Sequence, residues 1–166
     1  MVLDAAKGIE EQTLKLFEVC KLRKIPLITF INKCDRPGKE PLELLDEIEA
    51  KLGLGTYAMN LPIGDGPDFR GLYERGSQRL HLFERVPGGR YKAPERVGGL
   101  DDPKMTETVP GETLGNLADI HSLLEEAGHE LDTDAVHRGE LTPVFFGSAV
   151  NNFGVQLLLE GFLEHA

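Results

Sequence analysis

Two apolar runs constrain the chain more than any other feature: Leu27-Ile28-Thr29-Phe30-Ile31 near the start and Pro143-Val144-Phe145-Phe146 near the end. The first is a continuous β-branched and aromatic stretch, the pattern of a strand buried on both faces of a parallel sheet, and the second reads as another buried strand. Each stops abruptly, the first at Asn32-Lys33-Cys34-Asp35-Arg36-Pro37-Gly38 and the second at Gly147-Ser148-Ala149. Between Ile9 and Arg23, Leu14, Phe17 and Cys20 recur at helical spacing, widened by Leu16 and Val19, with acids early and Lys21, Arg23 and Lys24 late. This predicts a surface helix lying on a sheet. Pro26 ends it, and a second helix begins near Pro41, carries Leu44, Leu45, Ile48 and Leu52 inward and ends at Gly53. With Val2-Leu3 as the end of an earlier strand, the order is that of an α/β fold: a parallel sheet with flanking helices.

From about Gly64 the pattern changes. Gly64-Asp65-Gly66-Pro67 is a turn cluster, and Phe69 to Glu74 and Leu80 to Arg85 alternate around Gly76-Ser77 as a hairpin would. Pro87-Gly88-Gly89 and Gly98-Gly99 bound a short irregular or extended piece. Acids then crowd Asp101 to Glu140, where Lys104 and Arg138 are the only Lys or Arg, and Leu114, Leu117, His121 and Leu124 form a helical stripe ending near Gly128. After the second buried strand, Val155, Leu158, Leu159 and Phe162 mark a last helix. The expected organisation is an α/β portion over residues 1–63 and 142–166, interrupted by an inserted α+β lobe over residues 64–141.

Composition narrows the function. The 166 residues carry 18 basic and 28 acidic side chains, a formal charge of −10, which argues against a protein that coats nucleic acid. No apolar stretch approaches a membrane span and the first residues lack a signal-peptide pattern. Cys20 and Cys34 are too few for a disulfide framework and lack CxxC spacing. A reducing cytoplasm is the expected location. His81, His121, His129, His137 and His165 show no metal-ligand spacing, so no metal site is expected.

Chemistry concentrates in the two loops that follow the buried strands, where α/β proteins bind ligands. A carboxylate at Asp35 can accept two parallel hydrogen bonds from adjacent donors such as guanine N1–H and N2–H₂, and adenine lacks that pair. A site of this kind discriminates by about 10⁴ or more, because the wrong ligand strands buried polar atoms. Asn32 can reach the N7 side of a purine and the Lys33 stem can lie across its face. Gly147-Ser148-Ala149 is expected to offer unencumbered N–H groups to a carbonyl such as guanine O6. The alternative is that a four-residue match to NKxD arose by chance. Cys34 is expected to be a buried spacer.

Asp4-Ala5-Ala6-Lys7-Gly8-Ile9-Glu10, Phe30 to Arg36, Pro62 to Gly71 and Thr142 to Ala149 together resemble the GTP-binding domain of the bacterial release-factor-3 family, translational GTPases related to elongation factor G. The resemblance covers essentially the whole chain and points to the carboxyl-terminal part of that domain. It implies GTP/GDP as ligand, with Asn32 and Asp35 reading guanine, Lys33 on base and ribose, and Ser148 and Ala149 completing the base pocket. It also implies that residues from about Gly64 to Leu141 are the insertion such factors carry. In the full-length family, GTP is used to help class I release factors leave the ribosome.

Two of the family's motifs are not in this sequence. There is no G-x-x-x-x-G-K-[ST], since Gly38-Lys39 is followed by Glu40. Asp35-Arg36-Pro37-Gly38 and Asp68-Phe69-Arg70-Gly71 have the letters of the switch motif D-x-x-G but not its place, and are expected to be turns. Phosphoryl transfer relies on phosphate positioning and Mg²⁺, so the chain alone is expected to bind GTP or GDP weakly or not at all and to be inactive, with Mg²⁺ serving only the full-length protein and no catalytic residue of its own. Other readings remain. One is a stand-alone protein- or ribosome-interaction module, using a basic face of Arg70, Arg75, Arg79, Arg85, Arg90, Lys92 and Arg96 interleaved with Phe69, Tyr73, Phe83 and Tyr91, against a merely solvated hairpin. Another is a small α/β enzyme using Asp4 and Lys7. An open sheet edge at Val2-Leu3 or a neighbouring strand would favour self-association.

Overall fold

The structure, a computed structural model, describes residues 1–83 and 95–165. Four strands form the parallel sheet: β1 (Val2–Asp4), β2 (Thr29–Asn32), β3 (Gly55–Ala58) and β8 (Leu141–Phe146), in the order β1-β2-β8-β3. The two apolar runs of the sequence are thus direct neighbours, with Phe30 opposite Phe145 and Ile31 opposite Phe146. All six residues of β8 are buried, as a strand covered on both faces requires. Within it, Thr142 Oγ1 lies 3.0 Å from Thr29 Oγ1 and 2.8 Å from the Leu27 carbonyl, so both buried hydroxyls are satisfied.

Helix α2 (Pro41–Leu52) follows its sequence pattern closely. Pro41 opens it where a missing N–H costs nothing, Leu44, Leu45, Ile48 and Leu52 are buried, and Gly53 closes it at φ 62° in the left-handed region. Helix α1 (Glu11–Leu22) departs from expectation. Phe17 is its one buried residue, while Leu16, Val19 and Leu22 are 59%, 46% and 83% exposed.

A second sheet is antiparallel, in the order β4-β5-β6-β7: β4 (Asn60–Ile63), β5 (Gly71–Glu74), β6 (Arg79–Phe83) and β7 (Glu95–Gly99). The expected hairpin is β5–β6, with Glu74 opposite Arg79. The strands β3 and β4 were not anticipated, and the chain changes sheets at Met59, whose N–H still bonds to Val144 of the first sheet. The stretch Pro87-Gly88-Gly89 lies outside the described residues, and Gly98-Gly99 closes the regular strand β7. In the acidic tract, α3 (Pro103–Thr106) and α5 (Thr133–Arg138) accompany the expected helix α4 (Gly111–Ala127), and α6 (Val155–His165) ends the described chain. No helix among the described residues is long and apolar enough to cross a membrane.

One carboxylate ties the loop after β2 to α2 and to the loop after β1. Glu47, only 10% exposed, accepts from Lys39 Nζ at 2.6 Å, from Lys51 Nζ at 2.6 Å and from the Ile9 N–H at 3.2 Å. Burial by itself pushes its carboxyl up, but the two ammonium donors and the amide outweigh that and hold it at about 2, below its ordinary 4.5. A folded-state value below the unfolded one gives stability that is present above pH 4.5 and lost as pH falls toward 2. Urea unfolding followed across that window should show a decline in stability that Glu47→Gln flattens, with the variant already less stable than the parent at pH 7. An unchanged pH slope in the variant would mean that other carboxylates set the acid limit.

Candidate functional site

The loops after β2 and β8 are joined by backbone before any side chain is considered. Gly147 N–H donates to Ile31 at 2.9 Å and Cys34 N–H donates back to Gly147 at 3.0 Å, which extends the β2–β8 ladder past both strand ends. Asn32 Oδ1 then accepts from its neighbour Lys33 N–H at 2.8 Å and, across the gap, from Ala149 N–H at 2.9 Å. Its Nδ2 has no partner among the described residues and remains available as a donor. Lys33 sits at φ 70°, a region that costs a non-glycine residue about 1–2 kcal/mol. The Asn32 bond and a 2.6 Å ion pair from Lys33 Nζ to Asp4 Oδ2 hold it there. The Lys33 hydrogen bond in turn keeps the Asp4 carboxyl below its usual range.

Asp4 also accepts from Ala6 N–H at 2.9 Å, whereas Lys7 Nζ pairs with Glu10 at 3.1 Å. Asp4 and Lys7 are thus paired with Lys33 and Glu10 and not with each other, which gives the alternative of an enzyme using Asp4 and Lys7 no support. Cys34 is 6% exposed, its Sγ is 3.5 Å from the Ile31 carbonyl, and burial pushes its thiol up to about 12. It is a buried spacer.

Asp35 and Ser148 meet through a residue that the sequence did not single out. Asn151 Nδ2 donates to Asp35 Oδ2 at 3.0 Å and to Ser148 Oγ at 3.1 Å. The other carboxylate oxygen, Asp35 Oδ1, is buried and has no hydrogen-bond partner. Ser148 itself is fully buried, and its backbone exchanges two 2.9 Å bonds with Phe153 to close the loop. The expectation of unencumbered N–H groups in Gly147-Ser148-Ala149 is corrected accordingly: Ile31, Phe153 and Asn32 take one each. Only the Ala149 bond is exposed, to a side chain that can exchange it for a ligand. Gly147 has no room for a side chain, since a Cβ there would collide with the Phe153 carbonyl. A cavity of about 420 Å³ lies beside the first loop, against Cys34, Arg36, Lys39, Asp65 and Asn116, and Asp35 does not line it.

Asn60 is the second residue the sequence left unmarked. It is 1% exposed, its Oδ1 accepts from Phe146 N–H at 2.7 Å and its Nδ2 donates to the Phe146 carbonyl at 3.3 Å. Its side chain thus pairs the edge of β8 where β3 has already ended, one residue before Gly147. Phe153 anchors the other side of the loop, its ring stacked on Phe83 at 4.6 Å and on Phe69 at 5.9 Å. An isolated asparagine has no signal in a hydrophobic pattern, although its place at the start of an apolar run, in a chain that must change sheets, was a usable hint.

Among the described residues the expected basic face is divided. Arg75 is buried: it donates to the Ala58 carbonyl at 2.9 Å, pairs with Glu125 at 2.5 Å and lies 4.5 Å over the Tyr57 ring. Phe69 and Tyr73 are buried with it. Arg79 stands opposite Gly99 and Arg96 opposite Leu82, so these two exposed arginines project from opposite faces of the sheet. Arg85, Arg90, Lys92 and Tyr91 lie outside the described residues.

A parallel sheet with two adjoining strand-end loops, Asn-Lys-Cys-Asp and Gly-Ser-Ala, marks an α/β domain whose candidate site lies at the carboxyl ends of its strands, and comparison with known proteins gives its family. The family model of the elongation factor Tu GTP binding domain matches residues 1–166, and the chain belongs to that family. It is 56% identical over 166 residues to peptide chain release factor 3 of Gloeothece citriformis, 57% identical to that of Nostoc punctiforme and 55% identical to that of Synechocystis. All of this chain is covered in each comparison, but it spans only 31%, 31% and 30% of those relatives. A crystal structure of a protein from Thermus thermophilus shares the fold, with a TM-score of 0.68 at 24% identity, over 98% of this chain and 25% of that one.

Replacing Asn60 by leucine leaves Phe146 N–H and C=O buried and unpaired. Asn60→Leu should cost about 3 kcal/mol of unfolding free energy and speed hydrogen exchange at the Phe146 amide. Native-like protection of that amide in the variant would show that the edge is held by something else.

Proposed function

We propose that the chain is the guanine-reading portion of a release-factor-3-type translational GTPase, with the base loops present and the hydrolytic parts supplied elsewhere in the whole protein. The observation that carries this is the Asp35 carboxylate: one oxygen is fixed by Asn151, and the other is a buried acceptor with no donor of its own. A buried carboxyl oxygen left without a donor is costly, and guanine N1–H and N2–H₂ supply the donors it lacks. Asn32 Nδ2 would then face N7, the Ala149 N–H would pass from Asn32 to O6, and the Lys33 stem, fixed by Asp4, would lie along base and ribose. Ser148 acts through its hydroxyl, behind Asn151.

In the whole protein the bound nucleotide is GTP or GDP with Mg²⁺, the partners are the ribosome and class I release factors, and the location is the cytoplasm. Residues 64–141 serve as the insertion. Self-association would use the outer edge of β1, where Val2 is 66% exposed. The interaction-module alternative loses support, since Arg75 is a buried structural residue and the described arginines divide between two faces.

The test is an amide chemical-shift titration of the 166-residue chain with GMP and AMP. GMP should bind weakly but in preference to AMP, moving amides of Asn32 to Asp35 and Ala149. Asp35→Ala should lower GMP affinity by about tenfold or more and leave AMP unchanged. Equal binding of the two nucleotides would overturn the reading of the base site. Magnesium-dependent GTP hydrolysis by the pure chain would overturn the assignment of the hydrolytic parts to the rest of the protein.

A further inference from the structure

We propose that Asn151 is a positioning residue for guanine specificity, setting the Asp35 carboxylate by bridging it to the buried hydroxyl of Ser148. The inference rests on the base-site reading above and names a residue that reading does not require. A carboxylate turns easily about its last torsion, where the energy wells are broad and roughly two-fold. Two donors on a planar base edge demand one orientation of that plane. Asn151 supplies it: its Nδ2 carries two hydrogens, and the two acceptors within reach, Asp35 Oδ2 at 3.0 Å and Ser148 Oγ at 3.1 Å, use one each.

The anchor at the far end is firm. Ser148 is fully buried and its backbone is locked to Phe153 in both directions, so the hydroxyl cannot wander. Asn151 itself lies in a short turn closed by the Asn152 N–H bond to Ala149 at 3.2 Å. A carboxylate has about four acceptor sites, so the Asn151 bond leaves Oδ2 free to take a base N–H as well as fixing the plane that aims Oδ1. The donor is neutral, which keeps the full negative charge of Asp35 for the base. A lysine or arginine at this distance would compete with guanine for it.

The experiment compares GMP with IMP, which lacks the exocyclic N2–H₂, on the 166-residue chain and its variants. The parent should prefer GMP. Asn151→Ala should reduce the GMP-over-IMP preference by about threefold to tenfold, with GMP binding falling more than IMP binding and the unfolding midpoint staying near the parent value. Asn151→Asp places a second carboxylate against Asp35, which disfavours its ionised form. The pH at which GMP binding is lost on acidification should therefore rise in that variant, a shift that a turn-stabilising role would not produce. If the parent prefers GMP and Asp35→Ala abolishes the preference, but both Asn151 variants keep it with an unmoved pH profile, the proposal for Asn151 is overturned and the base-site reading stands. If the parent itself does not distinguish GMP from IMP and AMP, both fall together.

Discussion

The structure depends on how one strand edge is finished. β8 is paired with β2 on one side from Val144 to Phe146, but on the other side β3 stops at Ala58, opposite Val144. Phe146 would then present a bare peptide to the interior, at a cost of about 1–3 kcal/mol for each unpaired buried group. Asn60 removes that cost by pairing its carboxamide with both groups of the Phe146 peptide, in the way a strand neighbour would. Because Asn60 also opens β4, the same side chain fastens the antiparallel sheet to the parallel one. The loop that follows Phe146 inherits a fixed origin, and the packing of Gly147 against the Phe153 carbonyl leaves it one path.

From that origin the two loops converge through side chains that are mostly neutral. Asn32 reaches across to Ala149, and Asn151 reaches across to Asp35. The charged pair, Lys33 with Asp4, lies at the rim, with Lys33 45% exposed, where solvent screening makes an ion pair worth little. The contrast with Glu47 is instructive. Glu47 is also mostly buried, but three donors converge on it and each of its oxygens already has a partner. Asp35 has one donor and one unfilled oxygen. The two carboxylates, Asp35 in the loop after β2 and Glu47 in the middle of α2, differ in what they can do because of how many hydrogens the fold aims at them.

The elements legible in the sequence were those that a buried period reports: β2, β8 and α2, whose apolar residues are buried as their spacing required. The loops after the two strands could be located for the same reason, since they are defined by where a buried run stops. β3 and β4 were invisible because Gly55, Asn60 and Pro62 are poor strand residues by composition, and only the neighbouring strand edges make them strands. Arg75 was misread for a related reason. A charge in an exposed-looking hairpin is expected to face water, and nothing in the local pattern announces that Tyr57, Ala58 and Glu125 wait for it from other elements. Asn60 and Asn151 act entirely through long-range partners, so no local window contains their role.

The antiparallel lobe is not a passive insertion beside the base loops. Phe153 is 2% exposed and its ring lies between Phe69 and Phe83 of the lobe, an amount of burial worth about 1.5–3 kcal/mol. Phe153 is also the residue whose backbone closes the loop onto Ser148. A displacement of the lobe relative to the parallel sheet must therefore either drag the Phe153 ring out of its stack or move Ser148, and Ser148 is the anchor of Asn151. Close-packed interiors resist gradual deformation of this kind, so lobe and loop either hold together or separate by repacking the aromatic stack. The stacked Phe153 ring, the Ser148 backbone bonds and the Asn151 bridge to Asp35 thus form one continuous set of contacts from the antiparallel lobe to the loop after β2.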